Sequence, residues 1–197
     1  MKQFFSILIL ITSFVIAPLA VAGDLIISRA VLEDSAGTLT IADVAGREFK
    51  PVGPTLSKGI TKSVYWLRLG VQAPSTGSKA VLLIRQPFLN EVRLFEADTS
   101  DPQGWKTRVT GNYYPFSDRD RATSSLSFVV NVAAPVTTYY LRLKTSTPSL
   151  LSVEALQPEE AEHRDYQFNL MEVFFATAML LLLCWAIHSY MLDPGCQ

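Results

Sequence analysis

The stretch from residue 23 to residue 157 contains no cysteine and no histidine. Both cysteines, Cys184 and Cys196, occur in or beyond a long apolar run near the C-terminal end. A disulfide framework and a cysteine-based metal site are therefore excluded from this stretch. The same shortage excludes a Ser–His or Cys–His catalytic pair there, so we do not expect an enzyme.

Residues 23–157 also lack a strong excess of either charge. Fifteen Lys and Arg stand against 12 Asp and Glu, which gives a net charge of +3. Nucleic-acid binding usually needs a concentrated basic patch, so no nucleic-acid partner is expected. The segment 158–172 is different, because Arg164 is its one cation against five acidic residues.

Residues 1–22 have the pattern of a secretory signal peptide. Lys2 supplies the positive start, residues 4–16 are apolar apart from three hydroxyl residues, and small residues at 20 and 22 form a cleavage pattern. We predict that the mature chain begins at Gly23. The alternatives are an uncleaved anchor or a buried segment, but the apolar run is shorter than the roughly 20 residues that a spanning helix needs.

Short runs of alternating residues predict an all-β domain over residues 23–157. Three segments have an apolar residue at every second position, which is typical of half-buried strands: 65–72, 126–132 and 138–145. Residues 80–85 are almost continuously apolar and predict a central strand covered on both faces; 90–96 and 105–109 complete a predicted meander. About eight strands at this spacing favour a β-sandwich of the jelly-roll type.

The apolar run at residues 168–192 predicts one transmembrane helix. At about 1.5 Å per residue it reaches roughly 37 Å, enough to cross a hydrocarbon core of about 30 Å. The alternative, a buried core helix, is disfavoured because the run is long and apolar around its whole circumference. We assign residues 158–167 to a juxtamembrane linker and 193–197 to a short cytoplasmic tail.

Two aromatic–arginine pairs are candidate ligand-binding residues. Trp66 and Arg68 lie two apart on one predicted strand, as do Tyr140 and Arg142 on another, so each pair shares a face. An aromatic ring stacks on a sugar, and a guanidinium donates paired hydrogen bonds to hydroxyls or carboxylates. The alternative is that Trp66 belongs to the core and that the arginines pair with buried acids or carbonyls.

Four aspartates in loop-like segments are weak candidate ligands for Ca²⁺, which prefers oxygen ligands: Asp98, Asp101, Asp118 and Asp120. No EF-hand-like spacing accompanies them, and no other cofactor is expected. Asp118 and Asp120 also have the spacing of a glycosidase-like carboxylate pair. Arg119 and Arg121 alternate with them, which favours a solvated charged loop instead.

Five segments follow one another in an order typical of a bacterial receptor family: 31–34 with 39–43, 63–69, 89–95, Gly111 with 114–119, and 139–145. With them the chain resembles the type 2 extracellular domain of bacterial seven-transmembrane receptors with diverse intracellular signalling modules (7TMR-DISM). The resemblance covers the whole predicted β domain and the first membrane helix.

The resemblance implies a jelly-roll fold similar to carbohydrate-binding modules. It also implies a signal-transduction role as a periplasmic sensor at the bacterial inner membrane, which binds a carbohydrate or another small polar ligand. Arg119, in the matched segment 114–119, joins the candidate ligand-binding residues.

Such receptors continue through seven helices into an output module, whereas this sequence stops after one. We therefore expect a sensing part that lacks the remaining helices and the output domain. The alternative is a membrane-anchored interaction module that docks on a partner receptor or associates with itself.

Overall fold

The computed structural model describes residues 23–191. The predicted signal peptide and the predicted tail at 193–197 lie outside the described residues. The described part consists of ten β-strands, a short helix α1 (Ile41–Ala45), a 3₁₀ turn (Phe116–Asp118) and a long helix α2 (Pro158–Met191). The strands are β1 (Ile26–Asp34), β2 (Lys50–Pro51), β3 (Thr55–Ser57), β4 (Val64–Gln72), β5 (Lys79–Ile84), β6 (Glu91–Ala97), β7 (Trp105–Thr110), β8 (Leu126–Asn131), β9 (Val136–Lys144) and β10 (Leu150–Leu156).

The strands form two antiparallel sheets. The six-stranded sheet has the order β2-β1-β4-β9-β6-β7, and the four-stranded sheet has the order β3-β10-β5-β8. The predicted all-β domain followed by one long apolar helix is therefore confirmed. The predicted meander is wrong in one respect: β6 and β7 pair as a hairpin, but β5 belongs to the other sheet. The jelly-roll connectivity stays a prediction.

The main core lies between the two sheets. Leu69 of β4 and Leu141 of β9 point inward from the larger sheet, and Leu82 of β5 and Phe128 of β8 meet them from the smaller one. All four side chains are buried, and each contributes about 1.5–3 kcal/mol by leaving water. The period-two alternation in the sequence is the signature of these inward-facing positions.

Strand β5 is covered on both faces, as its continuous apolar sequence predicts. It lies between β10 and β8, and its inward residues Leu82 and Ile84 belong to the main core. Its outward residues Val81 and Leu83 pack in a separate cluster with Ala161, which belongs to the beginning of α2. The long helix therefore starts against the outer face of the four-stranded sheet.

Helix α2 begins at Pro158, where proline's missing N–H costs no hydrogen bond. Glu160 accepts a hydrogen bond from the backbone N–H of Gln157 at 3.3 Å, which caps the first turn. The segment 158–167, assigned from the sequence to a linker, forms the first turns of this same helix. Beyond it the helix is long and apolar enough to cross a membrane, and none of its most apolar 18-residue window is buried in the protein.

Candidate ligand-binding groove

A second apolar cluster covers part of the outer face of the six-stranded sheet. Helix α1 lies over this face, with Thr40 and Asp43 capping each other's backbone at its first turn. Val44 of α1 is completely buried against six-stranded-sheet residues that include Trp66, Phe95 and Tyr140. A helix of five residues is marginal by itself, so this packing is what holds it in place.

The strand register brings four of the candidate residues together on this face. Trp66 lies directly opposite Arg142, and Arg68 lies directly opposite Tyr140, across the β4–β9 pair. The two aromatic side chains are nevertheless buried: Trp66 is 1% exposed and Tyr140 is 7% exposed. Their rings pack on other aromatic rings at centroid distances of 5.3 Å (Trp66–Phe95) and 5.5 Å (Tyr140–Trp105). Neither ring offers an open face for stacking a sugar.

A groove of about 390 Å³ opens beside this cluster. It is lined by residues 37–41 (the loop after β1 and the first residue of α1), by Trp66 and Phe95, and by four charged residues, Glu91, Arg93, Arg142 and Lys144. Small-molecule sites typically have volumes of about 300–1,000 Å³, so the groove suits a small ligand.

The loop wall of the groove is fixed by one buried carboxylate. Asp34, at the end of β1, accepts hydrogen bonds from the backbone N–H groups of Gly37 at 2.8 Å and Leu39 at 2.9 Å. The backbone of Gly37 has a φ of +70°, a conformation that glycine adopts without strain. The loop is thus held rigidly, and its N–H groups at these positions are already used.

Glu91 is the centre of the polar network in the groove. It is 9% exposed and accepts hydrogen bonds from Arg93 Nε at 2.9 Å, Arg142 Nη1 at 3.1 Å and the Tyr114 hydroxyl at 2.7 Å. Burial alone would raise the pKa of Glu91, but these hydrogen bonds and the two arginine charges outweigh it, so its pKa is lowered. Glu91 is therefore ionised at neutral pH and holds both guanidinium groups in place.

The remaining candidates separate into residues at the groove and residues away from it. Arg142 lines the groove, donates to the carbonyl of Gly37 at 3.4 Å and lies 5.8 Å from the Trp66 ring centre. Arg68 lies on the same sheet face, outside the groove lining, with its guanidinium 4.8 Å over the Phe49 ring.

Arg119 belongs to a different part of the molecule. Its guanidinium donates to the carbonyls of Thr123 and Ser124 at 3.0 and 3.3 Å, and it lies over the Phe116 ring. These bonds fold the loop between β7 and β8 onto itself. The structure thus gives Arg119 a local structural contact and does not bring it together with Trp66 and Arg142.

Sequence reasoning missed Glu91, Arg93 and Lys144. Glu91 and Arg93 lie two apart on β6, and β9 places Lys144 opposite Glu91 and Arg142 opposite Arg93. The sequence does show charged residues at alternate positions in each strand: residues 91 and 93 in β6, and residues 142 and 144 in β9. This alternation becomes informative only when β6 and β9 are known to be neighbours.

The four calcium-candidate aspartates are engaged in separate local contacts. Asp98 and Asp101 each accept the backbone N–H two residues further on. Asp118 accepts from the adjacent serine hydroxyl, and Asp120 forms an ion pair with Arg108. Within residues 23–191, no three His, Cys, Asp or Glu side chains are grouped so that they could hold a metal ion.

The loop between β7 and β8 connects the groove to the membrane-proximal helix. At its beginning, Tyr114 donates to Glu91 in the groove. At its end, Arg121 and Ser125 contact Asp165 of α2, with an Nη2–Oδ2 distance of 2.8 Å in the ion pair. The Arg121 and Asp165 side chains are only 12% and 8% exposed, so this contact is largely shielded from water.

Comparison with known proteins gives one result that agrees with this architecture. The family model described as 7TMR-DISM extracellular 2 matches residues 28–157, from within β1 to the residue before α2. No curated protein matches the chain. The match covers the β domain, and α2 follows it as a candidate membrane span, which indicates a domain anchored to the membrane on its outer side. The chain therefore belongs to the 7TMR-DISM extracellular 2 family of receptor sensor domains.

Proposed function

We propose that the β domain is a periplasmic ligand-sensing domain anchored in a bacterial inner membrane, and that it binds a small polar ligand such as a carbohydrate in the groove. The observation that supports this most strongly is the pair of guanidinium groups held at the groove by one carboxylate. Arg93 and Arg142 are both fixed by Glu91, so little conformational entropy is lost when they bind a ligand.

The contacts of the groove favour hydrogen-bonded recognition over ring stacking. Trp66 and Phe95 line the groove, but both rings are buried in the apolar cluster. Arg93, with a side chain that is 43% exposed, is the arginine most accessible to a ligand. Guanidinium groups donate up to five hydrogen bonds in a fixed planar geometry, which suits the oxygens of hydroxyl or carboxylate groups.

We propose binding without catalysis. Among the residues that line the groove, Glu91 is the one carboxylate, and its oxygens already accept hydrogen bonds from three side chains. A general acid–base reaction needs a group that can exchange a proton with the ligand near the working pH. The lowered pKa of Glu91 keeps this carboxylate ionised and unsuited to that role.

A binding screen tests the proposal. The full chain, purified in mild detergent, is heated with a panel of sugars, sugar acids and amino acids, and unfolding of the β domain is followed by circular dichroism. A ligand at about 100 times its Kd stabilises the folded state by about 2.7 kcal/mol, which raises the Tm by roughly 5–10 °C.

The groove assignment is tested with matched variants. The stabilisation should be lost or strongly reduced in Arg93→Gln and should be retained in Lys79→Gln, which removes an exposed cation at the start of β5. A panel without any stabilising compound, or stabilisation that Arg93→Gln leaves unchanged, would contradict the proposed function.

The proposed location has its own experiment. In a variant without the natural cysteines, a cysteine at the exposed position 106 (Lys106→Cys) should react with a membrane-impermeant maleimide once the outer membrane is permeabilised. Reaction only after the inner membrane is also broken would contradict a periplasmic domain.

A further inference from the structure

We infer that the groove selects an acidic ligand, a small hydroxylated carboxylate of the sugar-acid class, and that Arg93, Arg142 and Lys144 bind its carboxylate. This inference rests on the proposed function, because it names the ligand class of the same groove. It goes further because neither the fold nor the family match distinguishes an acid from a neutral sugar.

The first argument is the charge of the groove. Three cations line it, Arg93, Arg142 and Lys144, and Glu91 is the one anion in the lining, which leaves a net charge of +2. Arg93 and Arg142 lie directly opposite each other across the β6–β9 pair, a like-charge arrangement that destabilises a sheet. Glu91 compensates one of the positive charges. A ligand carboxylate would compensate a second.

The second argument is that the charged side chains of the groove offer a ligand cationic donors but no free carboxylate. The oxygens of Glu91 are already occupied by Arg93, Arg142 and Tyr114. Arg93 and Lys144 carry the exposed donors: the Arg93 side chain is 43% exposed, and Lys144 lies exposed at the end of β9. An ionised carboxylate accepts several hydrogen bonds from such cationic donors, and these bonds are about twice as strong as neutral ones.

The acidic residues near the groove add no carboxylate to its lining. Asp34 lies behind the loop wall, and its carboxylate is occupied by the backbone N–H groups of that loop. Asp43 is bound to the backbone N–H and the hydroxyl of Thr40. Neither aspartate lines the groove. A cationic ligand would meet the net positive charge of the lining residues, and a neutral sugar would leave that charge uncompensated.

The test compares hexuronates with their parent hexoses, which differ by a carboxylate in place of one hydroxymethyl group. Isothermal titration of the full chain in mild detergent measures D-glucuronate against D-glucose, D-galacturonate against D-galactose and D-mannuronate against D-mannose. We expect at least one acid to bind ten or more times tighter than its parent sugar, because charge-assisted hydrogen bonds are about twice as strong as neutral ones. Its affinity should fall as ionic strength rises.

Two variants and a control locate the carboxylate. Lys144→Gln removes an exposed cation with little risk to folding, and Arg93→Gln removes the more accessible guanidinium. Each should weaken binding of the acid about tenfold. Lys144→Gln should leave binding of the neutral parent nearly unchanged, and Arg93→Gln should weaken it less than it weakens binding of the acid. Lys79→Gln, outside the groove, should change neither.

The outcomes separate this inference from the proposed function. If the acids bind but Lys144→Gln and Arg93→Gln both leave that binding intact, the acid inference and the groove assignment are both overturned. If the parent hexoses bind as tightly as the acids, the acid inference is overturned while a sensing groove survives. The acid inference is likewise overturned, and the sensing groove survives, if no hexuronate binds but the broader screen finds neutral ligands whose binding Arg93→Gln abolishes. If neither experiment finds a ligand, both are overturned.

Discussion

Removing the buried carboxylate of Asp165 should detach the beginning of the membrane helix from the β domain. Asp165 forms an ion pair with Arg121 at 2.8 Å and accepts a hydrogen bond from Ser125. Deleting one partner of a largely buried ion pair costs about 3–5 kcal/mol, because the other charge is left uncompensated. Asp165→Asn keeps the shape of the side chain, so we expect the lower end, about 3 kcal/mol.

The loss should appear as local opening, because this contact joins one loop to the first turns of α2. Native-state hydrogen exchange of the full chain in detergent measures that opening directly. A cost of about 3 kcal/mol corresponds to exchange roughly 100 to 200 times faster for the amides of residues 161–166. Glu172→Gln, an exposed carboxylate further along the same helix, is the matched control and should leave this exchange unchanged.

A double-mutant cycle checks the physical cause. If the ion pair holds the helix, Arg121→Gln and Asp165→Asn should together destabilise the first turns of α2 by clearly less than the sum of the two single changes. Additive effects, or an exchange rate in Asp165→Asn within threefold of the unaltered protein, would refute the reasoning.

Three further predictions concern the β domain. Glu91→Gln should lower the free energy of unfolding by about 2–3 kcal/mol at pH 7. Because the pKa of Glu91 is lowered in the folded state, this loss should persist above pH ~4.3 and shrink as the pH falls through the folded-state pKa. Urea unfolding at a series of pH values measures it. Burial raises the pKa of Tyr139 to about 12, so stability should fall as the pH rises from ~10 towards that value, and Tyr139→Phe should flatten this alkaline loss in the same titration. Gly111 has a φ of +139°, and an added Cβ would lie 2.2 Å from the Asn90 carbonyl oxygen. Gly111→Ala should therefore lower the free energy of unfolding in urea by about 2–3 kcal/mol or more. Gly53→Ala, at a position with open space around it, is the control and should cost little.

The strands were predictable because burial of one face imposes period two on the sequence. The segment 65–72 shows both the strength and the limit of that signal. It correctly places Leu67 and Leu69 in the main core. It also places Trp66 on the polar face, whereas Trp66 is 1% exposed because α1 and its neighbours cover that face. The cover is small, so it left only Val64 and Trp66 apolar on this face of β4, and Arg68 and Gln72 further along the same face are polar.

The groove was only partly predictable for a related reason. Trp66 and Arg142 were identified as candidates from their residue types and spacing, and the β4–β9 register brings them together. Glu91 and Arg142 are 51 residues apart and meet only because β6 pairs with β9. Residues 37–41 line the groove because Asp34 fixes their backbone, a role that their side chains do not indicate. Strand order, which the sequence pattern left open, decides the site.

The binding of an acidic ligand in the groove is tested most directly by locating the ligand on the chain. Hydrogen exchange of the full chain in detergent is measured with and without saturating D-glucuronate, or the hexuronate that binds tightest in the titration. We predict slower exchange at the groove segments 37–41, 91–95 and 140–144 and unchanged exchange in the turn at residues 98–104, which does not line the groove. Unchanged exchange in all three groove segments, or protection confined to other parts of the β domain, would contradict the account.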